Sequence, residues 1–354
     1  MNKVEKLRIK MREEGLDAVL VLDELNQRYL SDFAFTDGFL FITLNKAYLI
    51  TDFRYYEMAI KGADKCFEIL MPENRSAFID KVMDEEEGRV VGFEGGSVSF
   101  EVYQLYCQKH PGLRYVNIGK TIETLRAVKT PDELENIKKA QDITDRAFSH
   151  LLTFIKPDMT ELEVAVELEY AMRKFGAEGF AFETIAVSGD ASALPHGKPR
   201  NVKLRPGFLT MDYGAKYNGY CSDMTRTIVI GKADEDIKKL YNTVLNAQRA
   251  ALDYLRAGCD CGVADKIARE IINRDYEGKF GHGLGHSVGL FIHEAPSLNA
   301  RGAGRKLEVG NVVTCEPGIY LFGKYGCRIE DMVAIEENGI YNFTHSTKEL
   351  IEVI

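Results

Sequence analysis

Residues 209–228 read Leu-Thr-Met-Asp-Tyr-Gly-Ala-Lys-Tyr-Asn-Gly-Tyr-Cys-Ser-Asp-Met-Thr-Arg-Thr-Ile, two strands joined by a short turn. Asn218-Gly219 sets the turn, because both residues tolerate the positive φ of a type I′ hairpin. A two-residue turn there puts Asp212 opposite Thr225, with Asp223 its diagonal neighbour. A turn one residue earlier makes Asp212 face Asp223 directly. Either register holds both carboxylates on one face, about 4.5–8 Å apart. Two carboxylates converging in an otherwise apolar hairpin repel and are costly to bury, and a cation between them removes that cost. The competing reading is a turn-flanking pair in water, so the choice depends on what the rest of the chain supplies.

The composition fits a soluble globular chain: 354 residues, 45% hydrophobic and 28% charged, a length that suggests two domains. Lys plus Arg number 45 against 54 Asp plus Glu, a net charge of −9 that argues against nucleic acid or an anionic membrane as partner. No apolar run reaches the roughly 18 residues that a membrane span needs. Met1 to Leu20 is charged and amphipathic and lacks the apolar core of a signal peptide, which points to the cytoplasm. Of seven cysteines, Cys259 and Cys261 lie close, but their spacing matches neither a redox nor a zinc-knuckle motif. Reduced thiols are expected.

Residues 1–122 read as a small α/β domain. Lys3 to Glu14 forms a helix stopped by Gly15, and Asp17 to Leu22 a buried strand. Gly38–Leu44 and Lys46–Thr51 pair through Asn45; Arg89–Phe93 is a further strand and Phe100–Lys109 a helix. Asp84 to Glu87 is a charge run at a solvated helix end. Gly119-Lys120-Thr121 is not a phosphate loop, since Arg114 stands where the first glycine is required. The second domain, 123–354, opens on the capping box Thr130-Pro131-Asp132-Glu133, followed by a helix with Leu134, Ile137, Phe148 and Leu151 on one face. A second capping box, Thr160 to Glu163, starts a helix ending near Gly176, and a third helix runs from about Asp234 to Gly258. Long helices among hairpins make this domain α+β.

The second domain also holds the remaining chemistry. Gly281-His282-Gly283-Leu284-Gly285-His286 alternates glycine with histidine, which lets an imidazole point into a confined site. His293-Glu294 begins like a zincin helix, but Ser297 stands where the second histidine belongs. Glu316 and Glu330 each interrupt a β-rich run. Together with Asp212 and Asp223 they favour a metal site.

The segments Met211-Asp212-Tyr-Gly, Cys221-Ser-Asp223-Met-Thr-Arg-Thr, Gly281 to His286, His293-Glu294, Cys315-Glu316-Pro-Gly and Arg328-Ile-Glu330-Asp331 resemble the pita-bread metallopeptidases of family M24. Leu49-Ile-Thr-Asp52-Phe-Arg-Tyr-Tyr56 resembles the N-terminal domain of their creatinase, aminopeptidase P and prolidase branch. The resemblance implies that Asp212 chelates one metal, Asp223 and Glu330 bridge two, and His286 and Glu316 bind the second. Such an oxygen-rich set suits Mn²⁺, Co²⁺, Fe²⁺ or Zn²⁺, with Mn²⁺ favoured. It further implies Glu316 as proton acceptor, His196 and His293 as catalytic histidines without a metal, and His282, Tyr320 and Arg328 as the pocket for a proline ring. The implied reaction is hydrolysis of the bond before proline in a small peptide with proline second, by a homodimer. Several prolidases carry arginine where this chain has Ser297, which tilts the expectation towards an Xaa-Pro aminopeptidase. The alternatives are an Xaa-Pro dipeptidase, a creatinase-like hydrolase, or a non-catalytic binding module.

Overall fold

In the computed structural model, which describes residues 2–354, the chain divides into two compact units between Arg126 and Ala127. The first unit is a six-stranded mixed sheet. Its strands run in the order Glu68–Leu70, Ala47–Ile50, Phe39–Thr43, Ala18–Val21, Val90–Phe93, Arg114–Asn117. Local signals set its elements. The helix Lys3–Glu14 is capped by the Asn2 side chain and ends on Gly15 in the left-handed region, as the sequence indicates. The short helices Glu24–Ser31 and Phe53–Gly62 are not foreseen; each starts on an aspartate cap, Asp23 and Asp52.

Glu94 holds this unit together from inside. Its buried carboxylate accepts from the backbone N–H of Leu22 and Asp23 at 2.7 and 2.9 Å and from Asn26 Nδ2 at 2.7 Å. Replacing Glu94 by alanine leaves those donors unpaired, so Glu94→Ala is expected to destabilise this unit by about 2–4 kcal/mol. A urea titration followed by a probe in residues 2–126 tests this; an unchanged midpoint would refute it.

The second unit has two cores on opposite sides of its sheets. The helices Pro131–Phe154 and Glu161–Lys174, each opened by a complete capping box, pack Phe148, Leu151 and Leu168 against Leu209, Met211 and Ile228. Glu235–Tyr254 and Cys261–Asn273 cover a second core that includes Val313, Cys315 and Val333. The sequence reading has one long helix in this last region. That helix ends at Tyr254, and a second one, not foreseen, starts on Asp260, whose carboxylate caps Gly262 and Val263.

The strands Gly207–Tyr213 and Met224–Ile230 form the centre of a four-stranded sheet, flanked by Ile185–Ser188 and Glu352–Val353. Their turn has Asn218 at φ 45° and Gly219 at φ 78°, so the two-residue type I′ register holds and Asp212 pairs with Thr225. Period-2 alternation does the rest. Leu209, Met211 and Ile228 enter the helix-covered core. Thr210, Asp212, Thr225 and Thr227 share the other face, and the Thr210 and Thr227 hydroxyls meet at 3.1 Å. A five-stranded sheet, Glu294–Leu298, Gly285–Ser287, Val312–Cys315, Asp331–Ile335 and Ile340–Asn342, carries His286 and adjoins Glu316 and Glu330, while Tyr320 and Arg328 lie on the strand pair Gly318–Leu321 and Tyr325–Arg328. No helix among the described residues is long and apolar enough to cross a membrane.

Candidate active site

A cavity of ≈ 980 Å³ is lined by His196, Asp212, Asp223, His282, His286, His293, Glu316, Arg328 and Glu330. All the sequence-nominated residues except Tyr320 therefore share one cavity, and Tyr320 lies directly behind its wall. Asp223, His286 and Glu330 each offer a ligand atom within 4.8 Å of the others. Glu316 Oε1 is 3.4 Å and Asp223 Oδ2 3.6 Å from His286 Nε2.

The elements aim these groups. Asp223 leads into the strand Met224–Ile230, and Glu330 is tied to it through its N–H, which donates to Thr225 C=O at 3.1 Å. Glu316 follows the strand Val312–Cys315, with its N–H on Leu284 C=O. Gly285 permits the packing of His286, since a Cβ there would sit 2.1 Å from Thr314 O. His286 Nδ1 lies 3.2 Å from Ser287 C=O, so the ring donates there and presents a bare Nε2 to the carboxylates. Burial, with help from His293, lowers its pKa to about 4 and keeps that lone pair free at neutral pH.

The carboxylates carry the opposite strain. Burial, reinforced by Glu330, Asp212 and Glu316, raises the pKa of Asp223. Burial with Glu316 and Asp212 does the same to Glu330, and burial brings Glu316 to about 8. Asp212 Oδ1 and Glu330 Oε1 are buried without a hydrogen-bond partner. Four carboxylates, one imidazole and two orphaned oxygens facing one cavity form the donor set of hard divalent cations.

Arg328 lines the cavity and bonds several of its neighbours. It is buried, and Nε donates to Thr225 Oγ1 at 2.9 Å, Nη1 to Tyr320 Oη at 2.8 Å and Pro195 C=O at 3.3 Å, and Nη2 to Asp212 Oδ2 at 2.7 Å. Four of its five N–H groups are thus given to protein partners. Because Tyr320 Oη accepts from Arg328, its own hydrogen goes to His282 Nε2 at 2.9 Å, and His282 Nδ1 donates to Gly283 C=O at 2.8 Å. His282 is accordingly neutral, its pKa lowered to about 4 by burial and by Arg328. The three residues nominated as a proline pocket form a hydrogen-bonded chain ending on Asp212.

His196 and His293 are exposed on the cavity wall. The His293 ring meets that of His286 edge-on, with centroids 4.4 Å apart. Burial and the nearby His196 lower its pKa, leaving it a neutral donor or acceptor.

Several residues at the site were not nominated. Thr225 Oγ1 donates to Glu330 Oε2 at 2.7 Å, and Thr314 Oγ1 to Glu316 Oε1 at 3.3 Å. The signal for Thr225 was available: Asp223, Thr225 and Thr227 recur at period two on the face of Asp212. Behind Glu330, the buried Arg226 donates to the backbone carbonyls of Glu330, Ser346 and Thr347 and pairs with Asp331 at 2.8 Å. Lys348 completes that pair at 2.5 Å, and Asp145 accepts from the N–H groups of His345 and Ser346.

The comparisons with known proteins agree with this geometry. The model of metallopeptidase family M24 matches residues 135–337, and that of the creatinase/prolidase N-terminal domain matches residues 3–128. A solved Xaa-Pro dipeptidase from Bacillus anthracis superposes with a TM-score of 0.95 at 40% identity, covering 99% of each chain. An Xaa-Pro dipeptidase of Pyrococcus furiosus is 36% identical over 353 residues, 99% of each chain. A solved X-Pro aminopeptidase from Thermotoga maritima has a TM-score of 0.90 at 36% identity and 100% coverage of both. Cation-ready carboxylates on a fold shared along its whole length with such proteins place the chain in metallopeptidase family M24, with the creatinase/prolidase N-terminal domain in front.

Proposed function

We propose that the protein is an Xaa-Pro dipeptidase that holds two divalent cations, Mn²⁺ foremost, on Asp212, Asp223, His286, Glu316 and Glu330. The orphaned Asp212 Oδ1 and Glu330 Oε1 beside the bare His286 Nε2 carry the metal-dependent reading. The cations, when bound, supply water activation and polarisation of the scissile carbonyl. The chain's own groups do the rest. Glu316 faces the cavity as a carboxylate and is placed to take a proton there. His196 and His293 face the same cavity and are positioned to donate to a developing oxyanion and to the leaving nitrogen. That second donation matters for proline, because an Xaa-Pro bond is a tertiary amide whose nitrogen carries no hydrogen. The family resemblance supports a cytoplasmic homodimer with residues 123–354 as its catalytic part.

The dipeptidase reading is supported by the names of the Bacillus anthracis and Pyrococcus furiosus relatives. A second reading, an Xaa-Pro aminopeptidase, is favoured by the commitment of Arg328 to Asp212 and Tyr320 and by Ser297 on the cavity wall. A carboxylate–arginine contact contributes roughly 2–3 kcal/mol, or about 30–150-fold. Matched Xaa-Pro and Xaa-Pro-Yaa substrates at fixed Mn²⁺ separate the two. The dipeptidase reading expects a kcat/KM advantage for the dipeptide, and one above about a hundredfold would require an arginine–carboxylate contact in the bound complex. Comparable values would make the protein an aminopeptidase.

A further inference from the structure

The strands Gly285–Ser287 and Glu294–Leu298 are joined by residues 288–293, which carry His293. Their pairing is irregular: His286 lies opposite Ser297, but the next residue, Ser287, lies opposite Glu294. The register shift makes Ser287 and Glu294 the neck of a six-residue loop, with a cavity histidine at each side of it. Lys129 enters that neck. Its side chain is 1% exposed, and Nζ donates to Ser287 Oγ at 3.2 Å and pairs with Glu294 Oε2 at 3.1 Å. Ser287 passes its own hydrogen to Val312 C=O at 2.7 Å. Glu294 Oε1 turns back into the loop and accepts from Phe291 N–H at 3.2 Å. The loop is shaped for this carboxylate: a Cβ at Gly289 would lie 2.5 Å from Glu294 Oε2. The backbone of Lys129 is itself fixed, with N–H on Gly310 C=O at 2.9 Å.

A buried ammonium is costly to desolvate and is retained where it specifies one geometry among several. We propose that Lys129 is a positioning residue. By bonding both sides of the neck, it sets His293 against the His286 ring and into the cavity. It acts through the loop backbone and touches no substrate. This role rests on the peptidase reading for its kinetic arm, and on geometry alone for its structural arm.

The test compares wild type with Lys129→Met, which keeps an apolar stem, and with Lys129→Met/Glu294→Gln, which leaves no buried charge unpaired should the single variant fail to fold. Turnover of an Xaa-Pro dipeptide is normalised to folded, metal-loaded protein, and amide hydrogen exchange is followed across residues 288–294. The expected result is a fall in kcat of about tenfold or more, KM within about twofold, unchanged metal content, and exchange about tenfold faster in that loop only. A purely structural role would lower Tm and leave normalised kcat unchanged, and that outcome overturns the proposal. So does loss of metal, which would mean that Lys129 acts through His286. If wild type turns over no Xaa-Pro substrate, the peptidase reading fails, and unchanged loop exchange would then separately refute the positioning role.

Discussion

Asp223→Ala and Glu330→Ala are each expected to abolish hydrolysis and to lower bound metal from two ions per chain. Each removes an oxygen from the cluster in which Asp223, His286 and Glu330 converge within 4.8 Å. An isosteric amide at Glu330 should instead stabilise the metal-free protein. Burial and mutual repulsion hold the carboxyls of Asp223, Glu330 and Glu316 above their ordinary range. An uncharged isostere relieves that repulsion, so Glu330→Gln is expected to raise metal-free stability by roughly 1–3 kcal/mol. Function and stability conflict at this spot, as they do in many active sites. The pH dependence follows in sign. An acid with a raised folded pKa keeps its proton in the native state where the unfolded chain has released it. The metal-free protein therefore loses stability as pH climbs from the ordinary carboxylate range towards the value of about 8 reached by Glu316. Metal binding requires the deprotonated carboxylates, so saturating Mn²⁺ should remove most of that slope. Denaturant melts at several pH values, with chelator or with Mn²⁺, measure both effects. An Asp223→Ala or Glu330→Ala variant with near wild-type turnover and two bound metals would refute the ligand assignment.

His293→Ala and His196→Ala are expected to lower kcat by roughly 10²-fold or more while metal content stays close to wild type. The geometry separates them from the ligand His286. Its Nε2 faces Asp223 and Glu316, whereas His293 meets the His286 ring edge-on, with centroids 4.4 Å apart. Metal loss in either variant, read by elemental analysis, would identify that histidine as a ligand and sink the proton-handling role.

Much of the site was legible because its signals are local. Asn218-Gly219 marks the turn and leaves two registers open, but in either one strand parity puts Asp212 and Asp223 on one face, and the structure takes the one that pairs Asp212 with Thr225. The capping boxes at Thr130 and Thr160 announce their helices through side chains three residues apart. What was not legible depends on partners far away in the chain. The placement of Arg328 needs Asp212, more than a hundred residues earlier, which accepts from Nη2. Lys129 sits one residue before a strong helix start and gives no hint of Glu294, which lies 165 positions on. The helix Cys261–Asn273 was hidden for another reason. Cys259-Asp260-Cys261-Gly262 reads as a cysteine pair, while its real content is an aspartate cap on a helix that buries the small residues Ala264 and Ala268.

The strap formed by residues 345–353 bears on how the protein is made. Arg226 reaches forward to Ser346 and Thr347, Lys348 closes the charge balance on Asp331, and Glu352–Val353 pairs with the strand that carries Thr225. Without that segment Arg226 loses two carbonyl partners and the backing of Glu330 is incomplete. Synthesis proceeds from the N-terminus, so residues 345–353 are made after every residue that lines the cavity, and the backing of Glu330 is complete only once they are in place.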